Sequence, residues 1–142
     1  SNDVLSFASG VDVLTGGGGS DRFLLPSLAT ALVGTALTPA IDRITDFQIG
    51  IDQIDAPNAV LPGQVRNLNQ IQALSTTHIS QLLSSTAFPA FGAAVFRQLD
   101  AQIGERTFLA LNDKTAGFDA KTDALLEITG YTGGSLSSIQ II

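Results

Sequence analysis

Gly16-Gly17-Gly18-Gly19-Ser20-Asp21-Arg22-Phe23-Leu24 is the stretch from which the fold of this 142-residue chain is read. It has the pattern GGxGxDxUx, where U is a large apolar residue, and every specified place is filled. Nine residues upstream, the unit Phe7 to Thr15 keeps Gly10, Asp12 and Leu14, and nine further upstream stand Asp3 and Leu5. A nine-residue period of this kind marks a repeat in which each unit gives one tight turn and one short strand. Two units make a coil and coils stack in parallel, so residues 1–25 are expected to form a parallel β-roll with Leu5, Leu14 and Phe23 pointing inward. The first unit begins partway through its turn, which puts Ser1 inside a repeat array and makes the roll a truncated one.

The residue types explain themselves physically. Glycine accepts positive φ without the strain a Cβ brings, and it leaves carbonyl oxygens free to face a cation. Aspartate adds a carboxylate. Calcium takes about six to eight oxygens, more than one turn supplies, so ligands are expected from two turns 18 residues apart. On this spacing the turn of Gly17, Gly19 and Asp21 shares an ion with the turn ending at Asp3. Asp12, with Gly10 ahead of it, meets no fourth repeat, because Leu28 to Thr30 carries neither glycine nor carboxylate. Its partner must come from later in the chain. A phosphate-cradling loop is excluded, since no Lys-Ser or Lys-Thr follows the glycines, and a mere flexible linker would not keep period, aspartate and apolar residue in step over three units.

Composition points the same way. Eleven aspartates and only two glutamates, Glu105 and Glu127, make up the 13 acidic residues, as loop ligands would and solvated helices would not. A net charge of −6 and a pI near 4.3 argue against nucleic acid as a partner. The absence of cysteine excludes a disulfide framework and a thiolate metal site. It fits a protein exported unfolded to the outside of the cell. No apolar run reaches the roughly 20 residues that cross a bilayer, and no amino-terminal signal peptide is visible. An export address is therefore expected upstream or at the carboxyl end.

Downstream, Pro26 to Pro39 reads as a loop covering the roll. Ile41 to Asp55 reads as two short strands around a turn at Gly50, because Ile44, Phe47, Ile51 and Ile54 alternate with flanking aspartates. From Arg66 to Ser85, Leu68, Ile71 and Leu74 lie three apart and Ile79, Leu82 and Leu83 at three and four, which predicts one or two short amphipathic helices. Thr76 or Thr77 would cap between them, and His78 would sit on the helix surface. Ala94–Leu99 and Arg106–Leu111 form a predicted hairpin, with a third strand at Ala124–Tyr131. The expected fold is thus β-rich α+β: a truncated parallel β-roll at 1–25, then a capping domain at 26–142 built of antiparallel strands and one or two short helices.

Two further segments carry a family resemblance. Asp42-Arg43-Ile44-Thr45-Asp46-Phe47-Gln48-Ile49-Gly50-Ile51-Asp52-Gln53-Ile54-Asp55 fits DxIxDFxxGxDxID. This resembles the segment that follows the glycine repeats in the carboxyl-terminal domains of RTX (hemolysin-type calcium-binding repeat) proteins, including the serralysin-like peptidases. TFLALND from Thr107, TAGF from Thr115, TDALLEITGYTG from Thr122 and SIQII from Ser138 are similar to the bluetail type of such domains. Together the likeness spans about three quarters of the chain. The resemblance implies a secreted or cell-surface, calcium-binding module that caps the β-roll, with a type I secretion signal in Ser135 to Ile142 engaging the export machinery. It also implies that Asp42 and Asp46 lie near the last repeats, where either completes the half-site at Asp12 or Asp21. The expected Ca2+ ligands are therefore Asp3, Gly10, Asp12, Gly17, Gly19, Asp21, Asp42 and Asp46.

No enzyme is expected within the chain. HExxH and GxSxG are absent, and His78 is the only histidine. The competing expectation is an adhesive or surface-layer module in which calcium is purely structural and the contacts are homotypic or with a cell surface. The loop Asn112 to Asp123 gathers Asn112, Asp113, Asp119 and Asp123 ahead of Glu127. It is open to two readings, a second ion site or a turn closed by aspartate side chains, and its spacing is not that of an EF-hand.

Overall fold

The computed structural model describes residues 1–28, 41–100, 102 and 104–142. The loop read at Pro26–Pro39 lies outside them from residue 29 onward. Among the described residues the order of elements is β1 (Val4–Ser6), β2 (Val13–Leu14), β3 (Arg22–Leu24), β4 (Asp42–Ile44), β5 (Gln48–Ile49), β6 (Gln53–Asp55), β7 (Arg66–Ile71), α1 (Thr76–Leu82), β8 (Ala93–Asp100), β9 (Gly104–Leu111), β10 (Ala124–Glu127), β11 (Thr132–Gly133), a 3-10 turn at Leu136–Ser138, and β12 (Gln140–Ile141). These residues are β-rich, with mixed parallel and antiparallel sheets and, among them, one short α-helix.

The chain alternates between two sheets as it advances. One has the order β1-β3-β6-β12, all parallel; the other runs β2-β4-β10-β9-β8-β7. Val4 pairs with Arg22 and Leu5 with Phe23, the expected 18-residue offset, and Phe23 then pairs with Ile54. On the other side Leu14 pairs with Ile44, and Asp42 with Leu126. Each of β1, β2, β3, β4 and β6 follows or contains an Asp-x-apolar tripeptide, and the apolar residue faces the space between the sheets. Phe23, Ile44 and Ile54 are fully buried there, with Phe7, Phe47, Leu109, Leu126 and Ile141. The strands of residues 1–25 thus share sheets and core with strands from residues 42–141.

A second apolar cluster lies on the opposite face of the six-stranded sheet. Side chains alternate across a strand, and Phe96, Phe108, Ala110 and Leu125 point away from the first cluster to meet Ile79, Leu83 and Phe88 around α1. Because β9 and β10 are buried on both faces, they read as almost continuous apolar runs. The predicted hairpin is present as β8 and β9, antiparallel from Ala93↔Leu111 to Asp100↔Gly104, with β10 antiparallel to β9.

Three expectations are corrected, the last of them the helix cap. The strands after residue 26 are not all antiparallel, since β4 runs parallel to β10, β5 to β11 and β6 to β12, because strands that continue the stack keep its direction. Residues 66–71 are not helical but form β7, the outermost strand, parallel to β8. A register shift between Asn67 and Gln70 interrupts the alternation, and this irregularity leaves Leu68, Ile71 and Leu74 at a spacing that imitates a helix. Asparagines at 67 and 69 are weak helix formers. The helix α1 is capped by Ser75, whose Oγ accepts the His78 N–H at 3.1 Å, and not by Thr76 or Thr77. His78 is half-buried, its Nδ1 2.5 Å from the Ser75 Oγ.

Candidate metal centre

Asp3, Asp21 and Asp52 each stand immediately before a strand, and those strands are in register, Val4 with Arg22 and Arg22 with Gln53. The three carboxylates therefore stack along one edge of the molecule. Asp3 donates its N–H to Asp21 Oδ1 at 2.9 Å, and Asp21 donates its N–H to Asp52 Oδ1 at 2.9 Å. A second, shorter stack runs on the other sheet, where Asp12 donates its N–H to Asp42 Oδ1 at 2.8 Å. The partner that Asp12 lacks nearby is thus Asp42, 30 residues on.

The second carboxylate oxygen separates these residues. Asp52 Oδ2 accepts the N–H of Gln48 at 2.8 Å, and Asp12 Oδ2 that of Ala8 at 2.7 Å, in both cases four residues earlier. The equivalent donor for Asp21 would be Gly17. Its N–H instead reaches Asp46 Oδ2 at 2.6 Å, while Gly16 donates to Asp46 Oδ1 at 2.9 Å. Asp46 is held in this position by its neighbour Phe47, buried against Phe23 with ring centres 6.0 Å apart. Asp21 Oδ2 is left buried without a partner, and so is Asp42 Oδ2, in side chains that are each only 1% exposed. An unmet buried acceptor costs about 1–3 kcal/mol, and more when charged.

Around Asp21 the turns approach closely. Gly17 and Gly19 have φ of 85° and 126°. A Cβ on Gly19 would overlap the Ser1 carbonyl, and one on Gly16 would overlap the Asp21 carboxylate. The Ser20 N–H meets Asn2 Oδ1 at 2.9 Å, and the Ser1 ammonium meets the Gly18 carbonyl at 2.7 Å. Gly10 is exposed in its own turn with φ of 100°. The turn of Gly19 and Asp21 is brought against that of Ser1 to Asp3, and Asp12 against Asp42, while Asp46 grips Gly16 and Gly17 through their N–H groups.

Among the described residues no three histidine, cysteine or acidic side chains converge as a metal cluster. A cation at these turns would draw on one or two carboxylates and on backbone carbonyls, the donor set of a hard ion such as calcium. The unpaired oxygen of Asp21, beside the close-packed turn of Gly16 to Gly19, fits such an ion, and Asp42 carries a second unpaired oxygen. Burial pushes the Asp42 pKa up; the Asp12 N–H opposes this and the Asp12 charge adds to it.

Sequence reasoning passed over Asp52 as a member of the stack, although Asp52-Gln53-Ile54 repeats the tripeptide of Asp21-Arg22-Phe23. In the loop Asn112 to Asp123, Asp123 accepts the N–H groups of Asp113 at 2.9 Å and Asp119 at 2.6 Å. Asp113 and Asp119 accept from Thr115 and Lys121, and Asn112 Nδ2 donates to the Phe88 and Pro89 carbonyls. The aspartates of this loop are thus closed on backbone N–H groups, while the Asn112 Oδ1, a neutral amide oxygen, is buried without a partner. Burial raises the Asp123 pKa, against the two N–H bonds that lower it. For Glu127 burial also pushes upward, but bonds from Arg106, at 2.7 Å, and Thr129, with the charges of Arg106 and Arg43, hold its pKa below the usual carboxylate range.

No helix among the described residues is long and apolar enough to cross a membrane. Comparison of the chain with family models, with curated proteins and with solved structures finds no match.

Proposed function

We propose that this chain is a calcium-binding, non-catalytic module that terminates a parallel β-roll in a secreted RTX-like protein. The observation that carries this is the buried, partnerless oxygen of Asp21 inside a glycine turn stacked on the turn of Asp3. A cation there would meet the unpaired charge, and its binding would be coupled to folding. Where calcium is scarce the stacked carboxylates of Asp3 and Asp21 repel and their turns stay loose; outside the cell calcium binds these turns and stabilises them by mass action.

Termination has its own support. Leu126 stands in register with Asp42 where a further carboxylate would stack, and buried Ile139 precedes Gln140, the partner of Gln53. Both aspartate stacks end on aliphatic residues. Beyond them the outer strand β12 is covered by Val60, which donates its N–H to the Ile141 carbonyl at 3.0 Å. The segment Ser135 to Ile142 is the proposed type I secretion signal. Since Gln140–Ile141 is a sheet strand in the folded chain, the export machinery would read it before folding.

An adhesive or surface-layer role draws on the opposite end, where β1 and β2 are outermost and Val4 and Val13 are 67% and 64% exposed.

Calorimetric titration with calcium, alongside melting curves in EDTA and in several millimolar calcium, tests the proposal. Saturable binding is expected. At about 100-fold excess of calcium over its Kd, the gain is about 2.7 kcal/mol, a Tm rise of roughly 5–10 °C for a domain of this size. Asp21→Ala should remove most of it. No binding and an unchanged melt would overturn the calcium role.

A further inference from the structure

We infer that cation dependence in this chain is confined to the carboxylates of Asp21 and Asp42, whereas Asp52 and Asp123 are each closed by an amide N–H four residues earlier, which keeps β8, β9 and β10 folded with no cation bound. This rests on the calcium-binding role proposed above and divides it among residues.

The division follows from where each carboxylate oxygen goes. Asp52 accepts two backbone N–H groups, from Asp21 at 2.9 Å and Gln48 at 2.8 Å. Asp123 does likewise, from Asp113 at 2.9 Å and Asp119 at 2.6 Å. In both, one donor lies four residues earlier and closes the turn. N–H dipoles on both oxygens give the carboxylate the positive surroundings that a cation would otherwise provide. Asp52 and Asp123 are buried at 1% and 0% exposure and neither has an orphaned oxygen. Asp21 and Asp42 are as deeply buried, but each has one oxygen on an N–H and one without a partner. A cation therefore relieves these two and has nothing to relieve at the other two.

The placement makes this a graded device. Asp52 lies at the start of β6, between the strands of residues 1–25 and β12. Asp123 lies at the start of β10, inside the six-stranded sheet. The apolar cluster around α1 contains no residue from 1–25. Without a cation, β8, β9 and β10 keep their packing against α1 and the closed turn of Asp123, and Asp52 keeps its bond from the Gln48 N–H. What is lost is the docking of β1 and β3, so the chain would act as a standing platform onto which calcium fastens the preceding coil.

Amide hydrogen exchange of the whole chain, resolved by peptide in EDTA and in several millimolar calcium, tests this. Removing calcium should speed exchange about tenfold or more in residues 3–25 and leave β8, β9 and β10 within about twofold. Equal loss of protection everywhere would overturn the division while leaving calcium binding intact. No calcium binding at all would overturn the calcium role and the division with it. A second readout avoids dependence on one unfolding event: Asp123→Asn should bind as many equivalents of calcium as the wild type, and Asp21→Asn and Asp42→Asn one fewer each. Loss of an equivalent in Asp123→Asn, or full stoichiometry in Asp42→Asn, would overturn the division.

Discussion

The turn that ends at Asp21 and the turn that ends at Asp52 are built to one plan and finish differently. Each closes on an aspartate that precedes a parallel strand, each is followed two residues later by a fully buried apolar residue, Phe23 or Ile54, and each aspartate accepts an N–H from the preceding turn of the stack. In the second turn the Gln48 N–H closes on Asp52. In the first, Asp46 has taken the N–H groups of Gly16 and Gly17 and the Asp21 oxygen stays open. A carboxylate at a turn is thus a hydrogen-bond cap or a candidate cation ligand according to what a third residue does with the local N–H groups.

The largest effect in this comparison should come from Gly19→Ala. A Cβ there combines a φ of 126° with overlap on the Ser1 carbonyl, so a loss of about 2–3 kcal/mol is expected. Gly17→Ala, at positive φ but with open space around it, should cost about 1 kcal/mol. Chemical denaturation in calcium measures both, and equal losses would mean that the turns do not touch at Gly19.

A change at Asp46 sharpens the contrast more gently. Asp46→Ala releases the Gly17 N–H, which can then close on Asp21 as Gln48 closes on Asp52. Calcium affinity is expected to fall by about tenfold, some 1.4 kcal/mol, with a smaller difference between melting temperatures in EDTA and in calcium. An unchanged titration would show that Asp46 has no hold over the glycine turn.

The smallest effect lies in the region assigned no cation. The pKa of Glu127 is depressed in the folded chain, so its contribution is present above its ordinary value of 4.5 and is lost as pH falls through the lower folded value. Asp123 has the opposite sign: its folded pKa lies above 3.8, so its contribution is full below 3.8 and is lost as pH rises through the folded value. Glu127→Gln should therefore be less stable than wild type near neutrality by about 1 kcal/mol, and the gap should close in acid. Melting curves from pH 3 to 7 in EDTA give the answer; a gap independent of pH would mean the Arg106 pairing contributes through shape alone.

Much of this was legible because the repeat is local chemistry. The offset between β1 and β3, the inward Phe23, the hairpin of β8 and β9 and the pairing need of Asp12 all follow from spacing and alternation. Asp52 escapes the repeat because it lies 31 residues beyond Asp21 and breaks the nine-residue period, although Gly50-Ile51-Asp52-Gln53-Ile54 keeps the spacing of Gly19-Ser20-Asp21-Arg22-Phe23. β7 was misread because a register shift between Asn67 and Gln70 spoils the period of two on which strand recognition depends.

The sequence by itself determined where turns and inward residues fall, since backbone freedom at glycine and the two-residue alternation of a strand are properties of neighbours along the chain. Only the tertiary structure decided which carboxylates are satisfied. The competitor for the Gly17 N–H is Asp46, 29 residues away, and the acceptor for the Asp12 N–H is Asp42, 30 residues away. Hydrogen bonds are saturable and short in reach, so their allocation is settled only when the strands have paired and distant residues compete for the same donor.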